Sequence, residues 1–145
     1  MEPEFRLIDP DRMTTIIPLL LELDPSIPEQ LLHERITDML EIGYECVGIY
    51  SADELVGICG IWTLTKYYIG KHLEPDNVYI KPAYRGAGLG GRLDSWLRNL
   101  AASRGCTALE LNCYINNDAG LKFWEAKGYR RIGIHFQKKL TDGNN

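Results

Sequence analysis

The stretch YRGAGLGGRL, residues 84–93, constrains the fold of this chain more than any other segment. Its four glycines lie within six positions, after a β-rich run and immediately before a helix-like pattern. Glycines at such a junction let backbone amides face a ligand, and a helix N-terminus adds partial positive charge. The stretch predicts a strand–turn–helix unit that suits a pyrophosphate, and the alternative is a turn that only connects the two elements.

The glycines fit two different motifs. From Gly86 the stretch spells GxGxxG (Gly86, Gly88, Gly91), and from Arg85 it spells RxxGxG (Arg85, Gly88, Gly90). A dinucleotide fold places GxGxxG after its first strand and needs further βα units behind it. Only 54 residues follow Gly91, and no GK[ST] of a P-loop is present. The second frame is therefore favoured, and a nicotinamide-dependent enzyme is kept as a rival.

Length and charge restrict the class of protein. A chain of 145 residues predicts a single domain over residues 1–145, with residues 141–145 as a disordered tail. The net charge is -4 and the basic residues form no dense cluster, so nucleic acid is excluded as an expected partner. No apolar run approaches the roughly 20 residues of a membrane span, and the N-terminus lacks the pattern of a signal peptide. We expect a cytoplasmic protein that does not bind membranes.

Cysteine and histidine spacing indicates no metal site. The four cysteines form no CxxC pair, and the three histidines show no HExxH or His/Cys spacing typical of zinc. Most of the cysteines lie in apolar stretches, where a thiol behaves as a small hydrophobe. We expect buried reduced thiols and no metal.

Hydrophobic periodicity predicts an α/β chain with a mixed sheet and helices on both faces. The predicted strands are FRLID, YECVGIY, LVGICGIWTL, NVYI, TALELNCYI and YRRIGIHFQKKL, at 5–9, 44–50, 55–64, 77–80, 107–115 and 129–140. Two predicted helices follow the first strand, one runs from the glycines to Gly105, and a short one covers 118–127. The resulting order is βααβββαβαβ. An antiparallel front half joins a βαβ unit in the back half.

The back half resembles the GNAT superfamily of acetyl-CoA-dependent N-acetyltransferases. The resemblance rests on NVYIKPAYRGAGLGGRLDSWL followed by ALELNCYINNDAGLKFWEAKGYR, and it covers roughly residues 74–131. It includes a strand, RxxGxG, a helix, a second strand, an Asn, an aromatic pair and Gly-aromatic, in that order. The resemblance implies a GNAT fold in which the strand before the glycines splays from its parallel neighbour.

The resemblance also implies a set of residues that bind acetyl-CoA. The backbone of Val78, Tyr79 and Ile80 would hydrogen-bond the pantetheine, using polar groups that the splay leaves unpaired. The backbone amides that would hold the pyrophosphate are those of Arg85, Gly86, Ala87, Gly88, Leu89 and Gly90. Asn117 matches an Asn that contacts the cofactor, although the adjacent Asn116 leaves the register open by one. Asn117 could also cap the following helix, and one residue could serve both roles.

The implied reaction needs a base. An alkyl ammonium is protonated at neutral pH and must lose its proton before it can attack the acetyl group. Asp76 falls where many family members carry an acid, and Glu74 lies two residues earlier, on the same face of an extended strand. Asp76 is the first choice, Glu74 the second and Glu110 a further candidate. The alternative is that Asp76 and Glu74 are simply solvated acids.

One position departs from the family. Many members carry a Tyr as the second aromatic, which protonates the departing thiolate, whereas this chain has Trp124. An indole N–H can donate a hydrogen bond but is no proton donor near neutral pH. Trp124 could contact the cofactor, or it could only fill the core. Tyr129, Tyr114 or water could supply the proton, or the chemistry could be lost.

The resemblance implies transfer of acetyl to a primary amine of a small molecule, a peptide or a protein. The front half would bind this acceptor, chiefly through LDPSIPEQLL and TKYYIGKHLEPD, which combine acids with Tyr67 and Tyr68. The acceptor's identity stays open, and a homodimer is compatible with the family. A module of the same fold that binds CoA or acyl-CoA as a sensor, without catalysis, is the alternative function.

Overall fold

The computed structural model describes residues 2–141. The chain divides into two compact units, Met1–Leu111 and Asn112–Asn145, which are taken in turn. The expectation of one domain over residues 1–145 stays a prediction. Of the expected tail at 141–145, only Thr141 lies within the described residues.

The first unit is built on a mixed sheet whose strands lie in sequence order. The strands are β1 (Glu4–Leu7), β2 (Glu45–Ser51), β3 (Glu54–Lys66), β4 (Gly70–Ile80) and β5 (Ala108–Leu109). The helices are α1 (Ile17–Leu23), α2 (Glu29–Glu41) and α3 (Leu89–Ser103), with 3₁₀ turns at Pro10–Ile16 and Pro82–Tyr84. Neighbours from β1 to β4 pair antiparallel, and β5 pairs parallel with β4.

Strand alternation divides the core into two faces. On β2 the buried Cys46 packs with α1 and α2, whereas the next residue, Val47, packs with α3. On β3, Ile58 and Cys59 divide in the same way. Side chains alternate across a sheet, so a continuous apolar run here reflects burial on both sides. The expected helices on both faces of a mixed sheet are thereby confirmed.

A β-bulge interrupts the pairing of β3 with β4. Ile58 pairs with Tyr79 but Gly60 pairs with Asp76, so β4 contains one extra residue in this interval. Asn77 lies in the interval with φ +36°, a backbone conformation that few non-glycine residues adopt. The bulge changes which face the following side chains occupy.

The pairing of β4 with β5 is short. It consists of two residue pairs, His72 with Ala108 and Leu73 with Leu109, and the Glu110 N–H donates to the Leu73 carbonyl at 3.0 Å. Continuing this ladder needs an N–H from residue 75, which is Pro75 and has none. The two strands therefore part beyond Leu73, as expected for a splayed pair.

Two predicted strands differ from the structure. The strand expected at 107–115 is reduced to Ala108–Leu109, because Pro75 of β4 lacks the N–H that the next step of the ladder needs. In the second unit, residues 129–140 form no strand. Apolar alternation describes side chains but does not supply the backbone partner that a strand needs. The observed order is βααβββαβα, with α4 at Asp118–Ala126 as the helix of the second unit.

The β3–β4 hairpin also differs in extent from expectation. The strand predicted at 77–80 begins at Gly70, so most of TKYYIGKHLEPD belongs to β3 and β4, and its role in acceptor binding stays a prediction. Only residues 67–69 form the turn between them.

Polar contacts attach the end of α3 to the sheet. The Arg104 guanidinium binds both carboxylate oxygens of Glu45, at 2.7 and 2.9 Å, and the Thr63 hydroxyl at 3.1 Å. The Lys71 ammonium donates to the Arg104 carbonyl at 2.7 Å. These contacts fix the direction of the helix that begins at the glycines. Within residues 2–141, none of the helices has the length and apolarity needed to cross a membrane.

Candidate active site

The glycine-rich loop forms a turn between β4 and α3. Gly86 and Gly88 have φ +80° and +82°, in the left-handed region that glycine occupies at little cost. α3 starts directly after Gly88, and no side chain of the described residues caps it. The amides of its first turn are therefore left for a ligand, at the positive end of the helix dipole. This local geometry fits a phosphate group.

Arg85 secures this loop to the end of β4. Its Nε donates to the Ile80 carbonyl at 2.7 Å, and its guanidinium lies 5.2 Å from the centre of the Tyr79 ring. Arg85 thus stabilises the loop through its Nε hydrogen bond and also adds a positive charge to it. The bond holds the turn close to the last residues of the strand.

The segment Val78–Ile80 continues β4 beyond the bulge. Tyr79 and Ile80 pair with Ile58 and Gly57 of β3. Among the described residues, the ladder to β5 has already ended at Leu73 and Leu109. The side of this segment that faces away from β3 can therefore bind an extended ligand through its backbone.

Asp76 and Glu74 lie on one face of β4, because the strand extends back past both. Asp76 is exposed, and its carboxylate accepts from the Trp62 indole at 3.1 Å and from the Asn77 amide at 2.8 Å. Glu74 is only 18% exposed and contacts His72 Nε2 at 2.8 Å and the Lys66 ammonium at 3.5 Å. The two acids thus differ in access to solvent and in partners.

His72, Glu74 and Glu110 form a cluster that the sequence analysis did not anticipate. Their ligand atoms all lie within 4.8 Å of one another, a spacing that could hold a metal ion. The Tyr68 hydroxyl donates to Glu110 Oε1 at 2.6 Å, and this bond raises the pKa of Tyr68. The alternation of His72 and Glu74 along one strand indicates that these two share a face, but it does not indicate Glu110.

A buried tyrosine supports the bulge from the α2 side. The Tyr44 hydroxyl donates to Asn77 Oδ1 at 3.0 Å, and the Tyr44 ring lies 5.2 Å from that of Trp62. Burial raises the pKa of Tyr44 far above its usual range. A side chain at Gly60 would meet Tyr44 and Asn77, so glycine is required for this close approach. These residues fix the position of the strand segment that holds Asp76.

α1 is tied to β4 through one charged contact. The Tyr79 hydroxyl donates to Glu22 Oε1 at 2.8 Å, and this bond raises the pKa of Tyr79. Two acids of the neighbouring segment LDPSIPEQLL have local partners: Asp24 binds Ser26, and Glu29 lies 3.6 Å from His33.

The buried cysteines are unreactive core residues. All four cysteines are free, and Cys46 and Cys59 are fully buried. Burial raises the pKa of the Cys46 thiol to about 12, and that of Cys59 is raised as well. Neither thiol is a nucleophile at neutral pH.

The second unit contains the remaining predicted cofactor residues. Asn117 precedes α4, and its side chain accepts from the Gly120 amide at 3.0 Å, so its capping role is confirmed. Trp124 is half-buried between two aromatic rings, with centroids 4.9 Å from Phe123 and 5.3 Å from Tyr129. Within this unit Trp124 is therefore a packing residue. Its contact with a cofactor stays a prediction.

The sequence matches one known protein family over most of the fold, including the glycine-rich loop. A family profile described as acetyltransferase (GNAT) matches residues 15–129. The chain belongs to the GNAT acetyltransferase family. The match includes β2 to β4, the glycine loop, α3 and α4, so the RxxGxG frame of Arg85, Gly88 and Gly90 belongs to a GNAT chain and not to a dinucleotide fold.

The relatives of this GNAT chain differ in length. It is 35% identical over 92 residues to an uncharacterised protein of Mycobacterium leprae, and this stretch covers 63% of the chain and 24% of the relative. It is 34% identical over 88 residues to the N-alpha-acetyltransferase RimI of Mycobacterium tuberculosis, covering 61% and 53%. The chain thus spans at most about half the length of these two curated relatives.

Solved structures confirm the fold across almost the whole chain. The aminoglycoside N-acetyltransferase AAC(6')-Iy in complex with CoA superposes with a TM-score of 0.82, covering 97% of this chain and 96% of that one. The sequence identity is 14%, so this similarity concerns the fold alone.

Proposed function

We propose that this GNAT chain is an N-acetyltransferase that moves the acetyl group of acetyl-CoA directly to a primary amine. The observation that carries the proposal is the arrangement along β4. An exposed carboxylate, Asp76, lies on the strand that runs into the left-handed glycines and the uncapped start of α3. The proposed base for the amine thus lies on β4, and the proposed phosphate-binding turn follows the end of the same strand.

Acetyl-CoA supplies the activated acetyl group when it is bound. The amides from Arg85 to Gly90 would hold its pyrophosphate, and the backbone of Val78–Ile80 would align its pantetheine along the open side of β4. The contact between Arg85 and Ile80 keeps these two binding segments in register. The names of the relatives, and the CoA in the AAC(6')-Iy structure, support this choice of co-substrate.

Asp76 would take the proton from the acceptor ammonium. Its carboxylate is exposed, whereas Glu74 and Glu110 are both over four-fifths buried in contact with His72. The Trp62 indole and the Asn77 amide hold the Asp76 carboxylate in one orientation. Removal of the proton frees the nitrogen lone pair for attack. Glu74 and Glu110 remain the second and third choices.

The acceptor would be a cationic amine of a small molecule, or an amine of a peptide or protein. Asp76 and Glu22 provide negative charge on the α1 and α2 side of β4, and Trp62 provides an aromatic surface next to Asp76. The relative named N-alpha-acetyltransferase makes a peptide N-terminus a reasonable first acceptor to test.

The decisive experiment measures acetyl transfer from acetyl-CoA to a panel of amines. The rate is monitored through the release of the CoA thiol. The panel contains a polyamine, an aminoglycoside and peptides with a free N-terminus. Asp76→Asn is expected to lower kcat/KM by at least about 100-fold, the contribution typical of a general base. Asp53→Asn, an exposed acid in the β2–β3 turn, is the matched control and should leave the rate unchanged.

Two outcomes would contradict this assignment. Near-normal turnover of Asp76→Asn at pH 7 would exclude Asp76 as the base. Saturable CoA binding without turnover of any amine, even at high enzyme concentration, would instead favour the sensor function. The packing of Trp124 between Phe123 and Tyr129 is the observation that keeps this second candidate, because no tyrosine occupies that position.

A further inference from the structure

The cluster of His72, Glu74 and Glu110 has features that acetyl transfer does not use. The His72 side chain is completely buried, and Nε2 lies 2.8 Å from Glu74 Oε2 and 3.8 Å from Glu110 Oε1. The side chains of Glu74 and Glu110 are 18% and 17% exposed. A ring nitrogen and two carboxylates thus meet in a nearly closed space.

A backbone contact fixes the orientation of the His72 ring. Nδ1 lies 3.1 Å from the Gly70 carbonyl, which can only accept a hydrogen bond, so Nδ1 carries the proton. Nε2 faces the carboxylates of Glu74 and Glu110, where a metal ion would replace its 2.8 Å hydrogen bond to Glu74. Histidine ligands of metals are commonly oriented in this way, with the other ring nitrogen bound to a backbone carbonyl.

A bound cation would offset the negative charges of the cluster. Glu74 and Glu110 come from the neighbouring parallel strands, next to the paired residues Leu73 and Leu109. Like charges side by side on adjacent strands repel one another. The Lys66 ammonium reaches only Glu74 Oε2, at 3.5 Å, and its own side chain is half exposed. A metal ion between the three groups would offset this repulsion and bind Nε2 at the same time.

We propose that His72 Nε2, Glu74 and Glu110 bind a divalent first-row transition metal ion such as Zn²⁺. Zinc binds imidazole nitrogen and carboxylate oxygen at about 2.0–2.2 Å, so adjacent ligand atoms lie about 3–3.5 Å apart. The separations of 2.8 and 3.8 Å from Nε2 bracket this range. One nitrogen and two carboxylates leave a further coordination position for water.

Two further contacts are compatible with this site. The Tyr68 hydroxyl donates to Glu110 Oε1, and Lys66 approaches Glu74 Oε2. Within residues 2–141, the second oxygen of each carboxylate has no hydrogen-bond partner and is available as a ligand. Asp76 lies outside the cluster and keeps its own partners. The inference is therefore independent of the assignment of Asp76 as the base, and metal binding alone tests it.

The test is calorimetric titration of the chelator-treated full chain with Zn²⁺, and absorption spectroscopy with Co²⁺ as a coloured substitute. We expect one Zn²⁺ per chain and visible Co²⁺ bands that Zn²⁺ abolishes. Glu110→Gln and His72→Gln should each weaken Zn²⁺ binding at least about tenfold, since each removes one of three protein ligands. His33→Gln, at an exposed His–Glu pair on α2, is the matched control and should bind as tightly as the wild type.

The variants distinguish a metal site from a structural cluster. If His72→Gln fails to fold, Glu110→Gln decides the question, because its side chain reaches the surface and its removal leaves the ring contact to Gly70. Absence of saturable binding would overturn the proposal. Equal affinities of Glu110→Gln and the wild type, or equal losses in Glu110→Gln and His33→Gln, would overturn it as well.

Discussion

The two halves of β4 differ in their pairing partners and in the residues that they position, although they belong to one strand. From Gly70 to Glu74 the strand contacts both β3 and β5, and it contains the buried His72. From Asp76 to Ile80 it pairs with β3, beyond the last residue pair of its ladder with β5. Pro75 and the bulge at Asn77 separate the halves. The comparison teaches that the candidate active site begins where the sheet stops being fully paired.

The largest expected effect comes from filling the space beneath the bulge. Gly60→Ala places a methyl group against Tyr44 and Asn77, which hold the second half of β4 in position. We expect the free energy of unfolding to fall by about 2–3 kcal/mol, as for other overpacked cores. Urea unfolding followed by circular dichroism measures the loss.

Gly133→Ala provides the control for this substitution. A methyl group at Gly133 meets no atom within 4 Å, so its stability should change by less than about 0.5 kcal/mol. If Gly60→Ala and Gly133→Ala had equal free energies of unfolding, the bulge would not depend on the close approach of β3. The proposed difference between the two halves of β4 would then lose its support.

The bulge also marks a limit of what the sequence could predict about the fold. The α/β class, the β2–β3 hairpin, the glycine loop and the end of α3 near Gly105 all followed from periodicity and turn residues. The bulge at Asn77 did not, because it depends on Tyr44 and Gly60, which are 33 and 17 positions away. A positive φ at an asparagine is a tertiary effect that no local pattern indicates.

The same distinction applies to the candidate site. Asp76 and Glu74 could be found from their spacing on one strand, and Asn117 from its position before a helix. The cluster of His72 with Glu110 could not, because it requires the register of β4 against β5. Pro75 was visible in the sequence, but its effect on the ladder depends on which side of β4 its missing N–H would face.

The second prediction concerns alkaline pH and the tyrosine that supports the bulge. Burial raises the pKa of folded Tyr44, whereas an unfolded tyrosine ionises near about pH 10. The folded state therefore keeps a proton that the unfolded state loses, and stability should decrease as pH rises above about 10. The contribution of Tyr44 is a slope of up to about 1.4 kcal/mol per pH unit.

Tyr44→Phe should remove this component of the slope. Unfolding free energies of both proteins between pH 9 and pH 11.5 measure the difference, and Tyr67→Phe, at a fully exposed side chain, serves as the control. Parallel pH profiles for Tyr44→Phe and the wild type would show that Tyr44 is not buried under the bulge.

The smallest expected effect concerns the bond between the second half of β4 and α1. Tyr79→Phe removes the hydrogen bond to Glu22 but keeps the ring beneath Arg85. Because the bond is exposed, we expect only a small loss of stability, the least of the three substitutions. Hydrogen exchange should become faster in α1 and stay unchanged in α2. Equal acceleration in both helices would mean that α1 is not individually attached to this half of the strand.

The contact between Trp62 and Asp76 has a consequence for spectroscopy. The indole N–H is bound to the carboxylate that we assign as the base, at 3.1 Å, and the ring is only partly buried. Indole emission responds to charge and polarity in its immediate surroundings. In a chain with Trp96→Phe and Trp124→Phe, the remaining fluorescence would come from beside the proposed reaction centre. The molecule thus contains its own optical probe of acceptor binding.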